Sequence, residues 1–228
     1  MSPSVRISCR PGSFRKTNVL NTGNRTVAGS SNNPRPGNDH PMNSSKNMNP
    51  LGGKELQIRL GGAGGQGLQL CAALLTQALA LEGKHVSQSQ SYEPTSRGGL
   101  SRSDIVVADQ TPDFPLVTDL DLLLLLDQLA VESSMPLLKK EGTVLVDSKR
   151  VPELPQGAFR CRSFPFVEKA RELGNERIAN MIGLGALCGI SSLCARKSLE
   201  TTLKQKSPSR FLELNLSALD LGFAMALS

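Results

Sequence analysis

Residues 56–67 constrain this chain more than any other stretch. Leu56-Gln-Ile-Arg-Leu60 alternates apolar and polar residues and reads as a short strand. Gly61-Gly-Ala-Gly-Gly-Gln-Gly67 then places five glycines in seven residues, and Leu68 opens an apolar run to Leu81 that reads as a helix. A strand, a glycine turn and a helix start bring unpaired N–H groups and the positive end of a helix dipole to one point, where an anion can approach. Glycine permits that approach because it has no Cβ and accepts positive φ.

The signals that follow alternate between strand and helix. Leu68, Cys71, Ala72, Leu75 and Leu79 share one helical face, and Gly83-Lys84 stops the helix. His85–Gln90, Ser103–Asp109, Asp121–Leu126 and Gly142–Asp147 read as strands, with the Leu-rich fourth strand apolar on both faces and therefore central in a parallel sheet. A helix is expected over Gln128–Lys140, broken or restarted at Pro136, and a sixth strand over Ala158–Ser163. Beyond it Phe166–Leu173, Arg177–Ala195, Ser198–Lys204 and Phe211–Leu227 read as helices. Gly183, Gly185 and Gly189 weaken the second of these and imply close packing against another element. The expected fold is α/β: a mostly parallel, Rossmann-like sheet with helices on both faces and a helical C-terminal third.

Charge divides the chain. Seven basic residues before position 50 (Arg6, Arg10, Arg15, Lys16, Arg25, Arg35, Lys46) face the single acid Asp39, which accounts for the whole formal charge of +6; the remaining 19 basic and 19 acidic residues cancel. The high isoelectric point is thus a property of a leader, and no nucleic-acid partner is expected. Residues 1–53, rich in Ser, Asn, Pro and Gly, read as a disordered basic leader, and residues 54–228 as the folded domain. Two sharper readings stay open: an organelle transit peptide, or translation beginning at Met42 or Met48. The apolar runs Leu120–Leu126 and Ile182–Ala195 are shorter than the roughly 20 residues that span a bilayer, so no membrane association is expected and the location is read as cytoplasmic. Cys9, Cys71, Cys161, Cys188 and Cys194 form no CxxC pair, which argues against a metal or cluster site; Cys188 and Cys194 read as small core residues.

Gly62-Ala63-Gly64-Gly65-Gln66-Gly67 satisfies the spacing of a dinucleotide fingerprint between a strand and a helix. The acid that would hold the ribose hydroxyls is missing, because the next strand ends Ser87-Gln-Ser-Gln90. No Gly-Lys-Ser/Thr follows for a nucleoside triphosphate, so a dinucleotide turn and a purely structural turn both stay open. A second candidate is Arg97 with Gly98 and Gly99, a guanidinium fork on an open backbone that suits a carboxylate or phosphate; the alternative is an arginine that is solvated or paired with Glu93 or Asp104. A third is Gly174-Asn175-Glu176-Arg177 with Asn180-Met181 at the head of the glycine-bearing helix, where Asn175 also suits an N-cap. Catalytic groups are scarce: His85 is the one histidine beyond the leader, and no nucleophile–base pairing is visible.

Taken in order, Ile58–Gly67, Glu82-Gly-Lys84, Ser89–Gly99, Ser103–Asp109, Val146-Asp147, Gly174-Asn175, Asn180–Leu187 and Asn215–Ala218 with Gly222 resemble the gamma subunit, or gamma domain, of 2-oxoacid:ferredoxin oxidoreductases. The resemblance spans residues 55–224 and is nearest the 2-oxoglutarate enzymes. Glu93 stands where the family has glycine, and Thr95 where it has glutamate. The resemblance implies oxidative decarboxylation of a 2-oxoacid to an acyl-CoA with reduction of ferredoxin. It implies alpha and beta partner subunits carrying thiamine diphosphate, magnesium and 4Fe-4S clusters, and a ferredoxin-like delta subunit as a further candidate. This chain would hold no catalytic group. Its cofactor-facing residues would be Gly62, Gly64, Gly65, Gln66, Gly67, Arg97, Gly98, Gly99, Asn175 and Asn180, bordering coenzyme A. An indolepyruvate-type subunit and a free-standing nucleotide-binding module are the alternatives.

Overall fold

The computed structural model describes residues 55–93, 98–110 and 116–227. Among them, six strands form one sheet in the order β2-β3-β1-β4-β5-β6. They are β1 (Leu56–Ala63), β2 (His85–Tyr92), β3 (Leu100–Ala108), β4 (Leu120–Leu125), β5 (Leu138–Asp147) and β6 (Arg160–Phe164). β1, β4, β5 and β6 pair in parallel, while β3 runs antiparallel to both β1 and β2. Connection length explains the reversal. Only residues 93–99 join β2 to β3, and a parallel return needs a dozen residues or more. The sheet is therefore mostly parallel, and β4 sits between two parallel neighbours as its apolar sequence implied.

The helices are α1 (Leu68–Leu81), the four-residue α2 (Val131–Ser134), α3 (Phe166–Glu172), α4 (Ala179–Ser191), α5 (Arg196–Lys206) and α6 (Ser209–Ala226). The five residues expected to form the buried face of α1 are all buried, joined by Leu74 and Ala78. Side chains of α1, α3, α4, α5 and α6 pack with Ile58, Leu60, Ile105, Leu122 and Leu124 on one face of the sheet. The opposite face, with Val106, Leu123, Leu125, Val144 and Val146, is covered by a smaller set that includes Val117, Ala130 and Val151. Helical segments thus lie on both faces, unequally.

Two expected helices change. The segment foreseen over 128–140 is broken into a 3-10 turn (Gln128–Ala130), α2, and a second 3-10 turn (Met135–Leu137) that takes Pro136 near its start. Leu138–Lys140 belongs to β5 instead, because Leu138 pairs with Leu120 of β4. The helix foreseen over 177–195 begins as a 3-10 turn (Glu176–Ile178) and ends at Ser191, since Ser192 adopts φ 52° and turns the chain. α4 and α6 lie against one another through Gly185 and Gly222, the close packing its glycines implied.

Two buried charged groups are held by several partners each. Arg59 on β1 faces Asp104, its register partner on β3, through two bonds of 2.7 and 2.8 Å and donates a third to Ser133 O at 3.1 Å. The pair ties α2 to the sheet. Asp147, fully buried at the end of β5, accepts from the N–H groups of Lys149, Arg150 and Val167 at 3.0, 2.7 and 2.8 Å. One carboxylate thereby fixes both the loop after β5 and the first turn of α3. Cys71, Cys188 and Cys194 are buried and Cys161 is exposed.

Candidate functional site

The glycine turn lies at the carboxyl ends of β1 and β4. β1 continues three residues past the apolar alternation to Ala63, carried by its ladder with β3. Gln66 then closes the turn. Its Oε1 accepts Ala63 N–H at 2.8 Å, and its Nε2 donates to Leu126 O at 3.1 Å. That side chain occupies the space beside Gly62, where a Cβ would lie 2.2 Å from Oε1. Gly62 and Gln66 therefore build the turn from within.

Gly65 and Gly67 adopt φ 92° and 74°, conformations that favour glycine. Gly67 is the N-cap of α1, and a Cβ on it would fall 2.3 Å from Asn180 Nδ2. The first turn of α4 thus rests on the start of α1. No side chain caps α1, and its first turn holds no acidic residue. Its first N–H groups and the positive end of its dipole remain without a side-chain partner.

The second candidate meets the first directly: Gly64 N–H donates to Gly99 O at 2.8 Å, holding the β2–β3 hairpin against the turn. Arg97 lies outside the described residues. Of the two acids weighed as partners for it, Asp104 is engaged by Arg59, and Glu93 accepts Leu100 N–H at 3.2 Å. Glu93 N–H also donates to Leu100 O at 2.9 Å, so this residue closes the hairpin with backbone and side chain together.

The third candidate divides. Asn180 is 6% exposed and lines the space beside Gly65. Asn175 Oδ1 accepts Arg177 N–H at 3.0 Å, the N-cap role expected of it, and Asn175 lines a smaller neighbouring cavity. Next to it Glu176 accepts from Arg150 at 2.5 Å and from Arg171 at 2.7 Å. Its bond with Arg150, then that with Arg171, holds the Glu176 carboxyl below its ordinary range. The same bond raises Arg150 further. The resulting clamp joins the β5 loop, α3 and the start of α4.

Three cavities surround the turn, of about 490, 550 and 270 Å³, and all three include Gly65. The first adds Gly64, Gly98 and Asn180; the second adds Gly98 and Gly99 under the exposed ring of Tyr92; the third adds Asn175 and Phe211. A Cβ built on Gly65 or on Gly98 meets nothing within 4 Å. Arg150 carries no local signal in the sequence; Glu176 and Arg177 stand in the run Gly174-Asn-Glu-Arg177, but their roles depend on which cations are already paired.

Strand order removes the dinucleotide reading. β3 lies between β1 and β2, so the end of β2 is one strand away from the glycine turn, and Gly64 N–H is already taken by Gly99. Chemical groups are sparse here as well. His85 is exposed at the start of β2, and no cluster of three or more His, Cys, Asp or Glu that could hold a metal occurs among the described residues. Burial pushes the thiols of Cys71, Cys188 and Cys194 up, Cys188 to about 12, so they sit protonated in the core. No described helix is long and apolar enough to cross a membrane.

This arrangement defines an α/β chain that presents an open glycine surface at the carboxyl ends of β1 and β4. The chain belongs to the pyruvate ferredoxin/flavodoxin oxidoreductase family, whose model matches residues 57–225. It is accordingly a subunit of a 2-oxoacid:ferredoxin oxidoreductase. It is 40% identical over 173 residues to the 2-oxoglutarate synthase subunit KorC of Archaeoglobus fulgidus, covering 75% of this chain and 88% of that protein. It is 36% identical to a solved keto/oxoacid ferredoxin oxidoreductase gamma subunit from Geobacter sulfurreducens, with a TM-score of 0.67 over 75% of this chain and 98% of that one. At 22% identity, the 2-oxoglutarate:ferredoxin oxidoreductase from Magnetococcus marinus shares the fold, with a TM-score of 0.69 over 76% of this chain and 31% of that one.

Proposed function

We propose that this chain is the gamma subunit of a 2-oxoglutarate:ferredoxin oxidoreductase and forms part of the coenzyme A face of the assembled enzyme. The substrate assignment is supported by its 40% identity to a 2-oxoglutarate synthase subunit. The solved Magnetococcus enzyme that shares its fold carries 2-oxoglutarate, coenzyme A and succinyl-CoA. Thiamine diphosphate, magnesium and 4Fe-4S clusters belong to the alpha, beta and delta-type partners in the cytoplasm. Of the ten residues assigned to the face, Gly65, Gly98, Gly99 and Asn180 border the open space; Gly64 and Gly67 shape it; Gly62 and Gln66 hold the turn; Asn175 holds the start of α4. Arg97 would add an anion clamp from the hairpin.

The observation that carries the reading is the meeting of three cavities at Gly65, a residue with open space where a side chain would be. The test is Gly65→Asn in the assembled complex, because asparagine tolerates positive φ better than other side chains and its amide would project into that space. The KM for coenzyme A is expected to rise about tenfold, equivalent to about 1.4 kcal/mol, and Arg97→Ala should act in the same direction. An unchanged KM for both variants in a normally assembled complex overturns the reading.

A further inference from the structure

Arg177 stands apart from the other cations around this site. Arg150 and Arg171 both end on Glu176, so their charge is committed to holding the segment in place. Arg177, the next residue, has no ion-pair partner among the described residues. It lines both the 490 Å³ and the 270 Å³ cavities together with Gly65, Gln66 and Asn180, so it sits on the ridge that the two share. Its backbone is fixed from below, since its N–H donates to Asn175 Oδ1 while Asn175 N–H donates to Ala170 O. The carboxylates that line the larger cavity are occupied: Glu176 by two arginines, and Asp127 by Leu129 N–H and Gln66.

A second group is aimed at the same place. Asn180 is more than nine-tenths buried, its Oδ1 accepts Met181 N–H at 2.7 Å, and its Nδ2 has no hydrogen-bond partner among the described residues. That Nδ2 lies over Gly67, the start of the fourteen-residue helix α1, which no side chain caps. A helix N-terminus with free N–H groups, an amide donor without a partner and an uncommitted guanidinium are all donors, and none is an acceptor. They match the equatorial oxygens of a phosphate group.

We infer that Arg177 and Asn180 Nδ2, at the mouth of α1, form a phosphate subsite, with Arg177 as the charged contact. The inference rests on the coenzyme A reading given above and names which of that ligand's groups is held here: its phosphates. Asn175 and the Arg150–Glu176–Arg171 clamp act as positioning residues. A neutral or cationic ligand portion would gain nothing at this spot, whereas a phosphate gains a charge-assisted fork that lysine would supply only in part.

The test uses the assembled complex and compares Arg177→Gln, Arg177→Lys and the control Lys169→Gln, which removes the same charge from α3 where Lys169 pairs with Glu172. Arg177→Gln is expected to raise the KM for coenzyme A about tenfold with kcat unchanged, Arg177→Lys to recover part of the loss, and Lys169→Gln to change KM less than twofold. Arg177 is exposed, so assembly should be retained, as size-exclusion chromatography checks. A KM within twofold of wild type for Arg177→Gln overturns the inference, as does an equal rise for Lys169→Gln, which would reveal only a general field. If Gly65→Asn raises KM while Arg177→Gln does not, the coenzyme A face stands and the subsite falls; if Gly65→Asn, Arg97→Ala and Arg177→Gln all leave it unchanged, both fall.

Discussion

Gly222→Ala should destabilise the protein although it replaces a poor helix former with the best one. Gly222 lies in the last third of α6, and a Cβ there would sit 2.1 Å from Ile182 O, 2.8 Å from Ala186 N and 2.9 Å from Gly185 Cα. All three are backbone atoms of α4, so no rotamer change relieves the contact. A Cβ on Gly185 would in turn lie 2.3 Å from Leu219 O. To restore an ordinary separation the two helices must part by about 1 Å, which opens gaps along Ala186, Ala218 and Leu219, all buried at this crossing. Overpacking of this kind costs roughly 1–3 kcal/mol or more. The gain in helix propensity offsets about 1 kcal/mol of it. Because every contact is with backbone the upper end of that range applies, and a net loss of about 2 kcal/mol is expected, read as a lower urea midpoint at unchanged slope. Gly185→Ala should cost a similar amount, and the double variant less than the sum, because one separation accommodates both methyls. Ser217→Ala, exposed on the same helix, serves as the control. A Gly222→Ala protein as stable as wild type would refute the close-crossing argument. Since α4 also carries Asn180, the coenzyme A face proposed above predicts a raised KM for coenzyme A in the same variant.

Two further outcomes follow from the polar contacts. Asp147→Ala removes the shared acceptor of the buried Val167 N–H and of the N–H groups of the exposed Lys149 and Arg150, and should cost on the order of 1–3 kcal/mol in urea unfolding; a loss under about 0.5 kcal/mol would mean that water replaces the carboxylate freely. Glu176 is held below its ordinary value of 4.5 by Arg150 and Arg171, so its contribution is present above that value and disappears as pH falls through its lower folded value. The melting temperature of wild type should therefore exceed that of Glu176→Gln at neutral pH, with the gap closing below about pH 4.5; a gap constant down to pH 3 would contradict the pairing.

Much of the site was legible because it is local in sequence. The strand, the five glycines and the helix start lie within twelve consecutive residues, and Asn175 caps a turn two residues away, as its side chain and position indicated. The division of roles among those residues was not legible. Gln66 reads as a variable residue between glycines, yet it bonds across to Leu126, 60 positions away. Arg177 belongs to a local run with Asn175, but its lack of an ion-pair partner among the described residues follows from Arg150 and Arg171 converging on Glu176, which only the fold brings together.

The sequence by itself determined the α/β class, the buried central position of β4, the helical C-terminal third and the glycine turn between β1 and α1. Each rests on periodicity or on backbone freedom, properties that near neighbours in the chain carry. Only the tertiary structure decided that β3 inserts between β1 and β2, that Gly99 takes the N–H of Gly64, and that Asn180 covers the mouth of α1. Those outcomes depend on which distant residues meet, and long-range contacts are set by how the whole core packs. The glycines made an open surface available; packing settled which of them faces it.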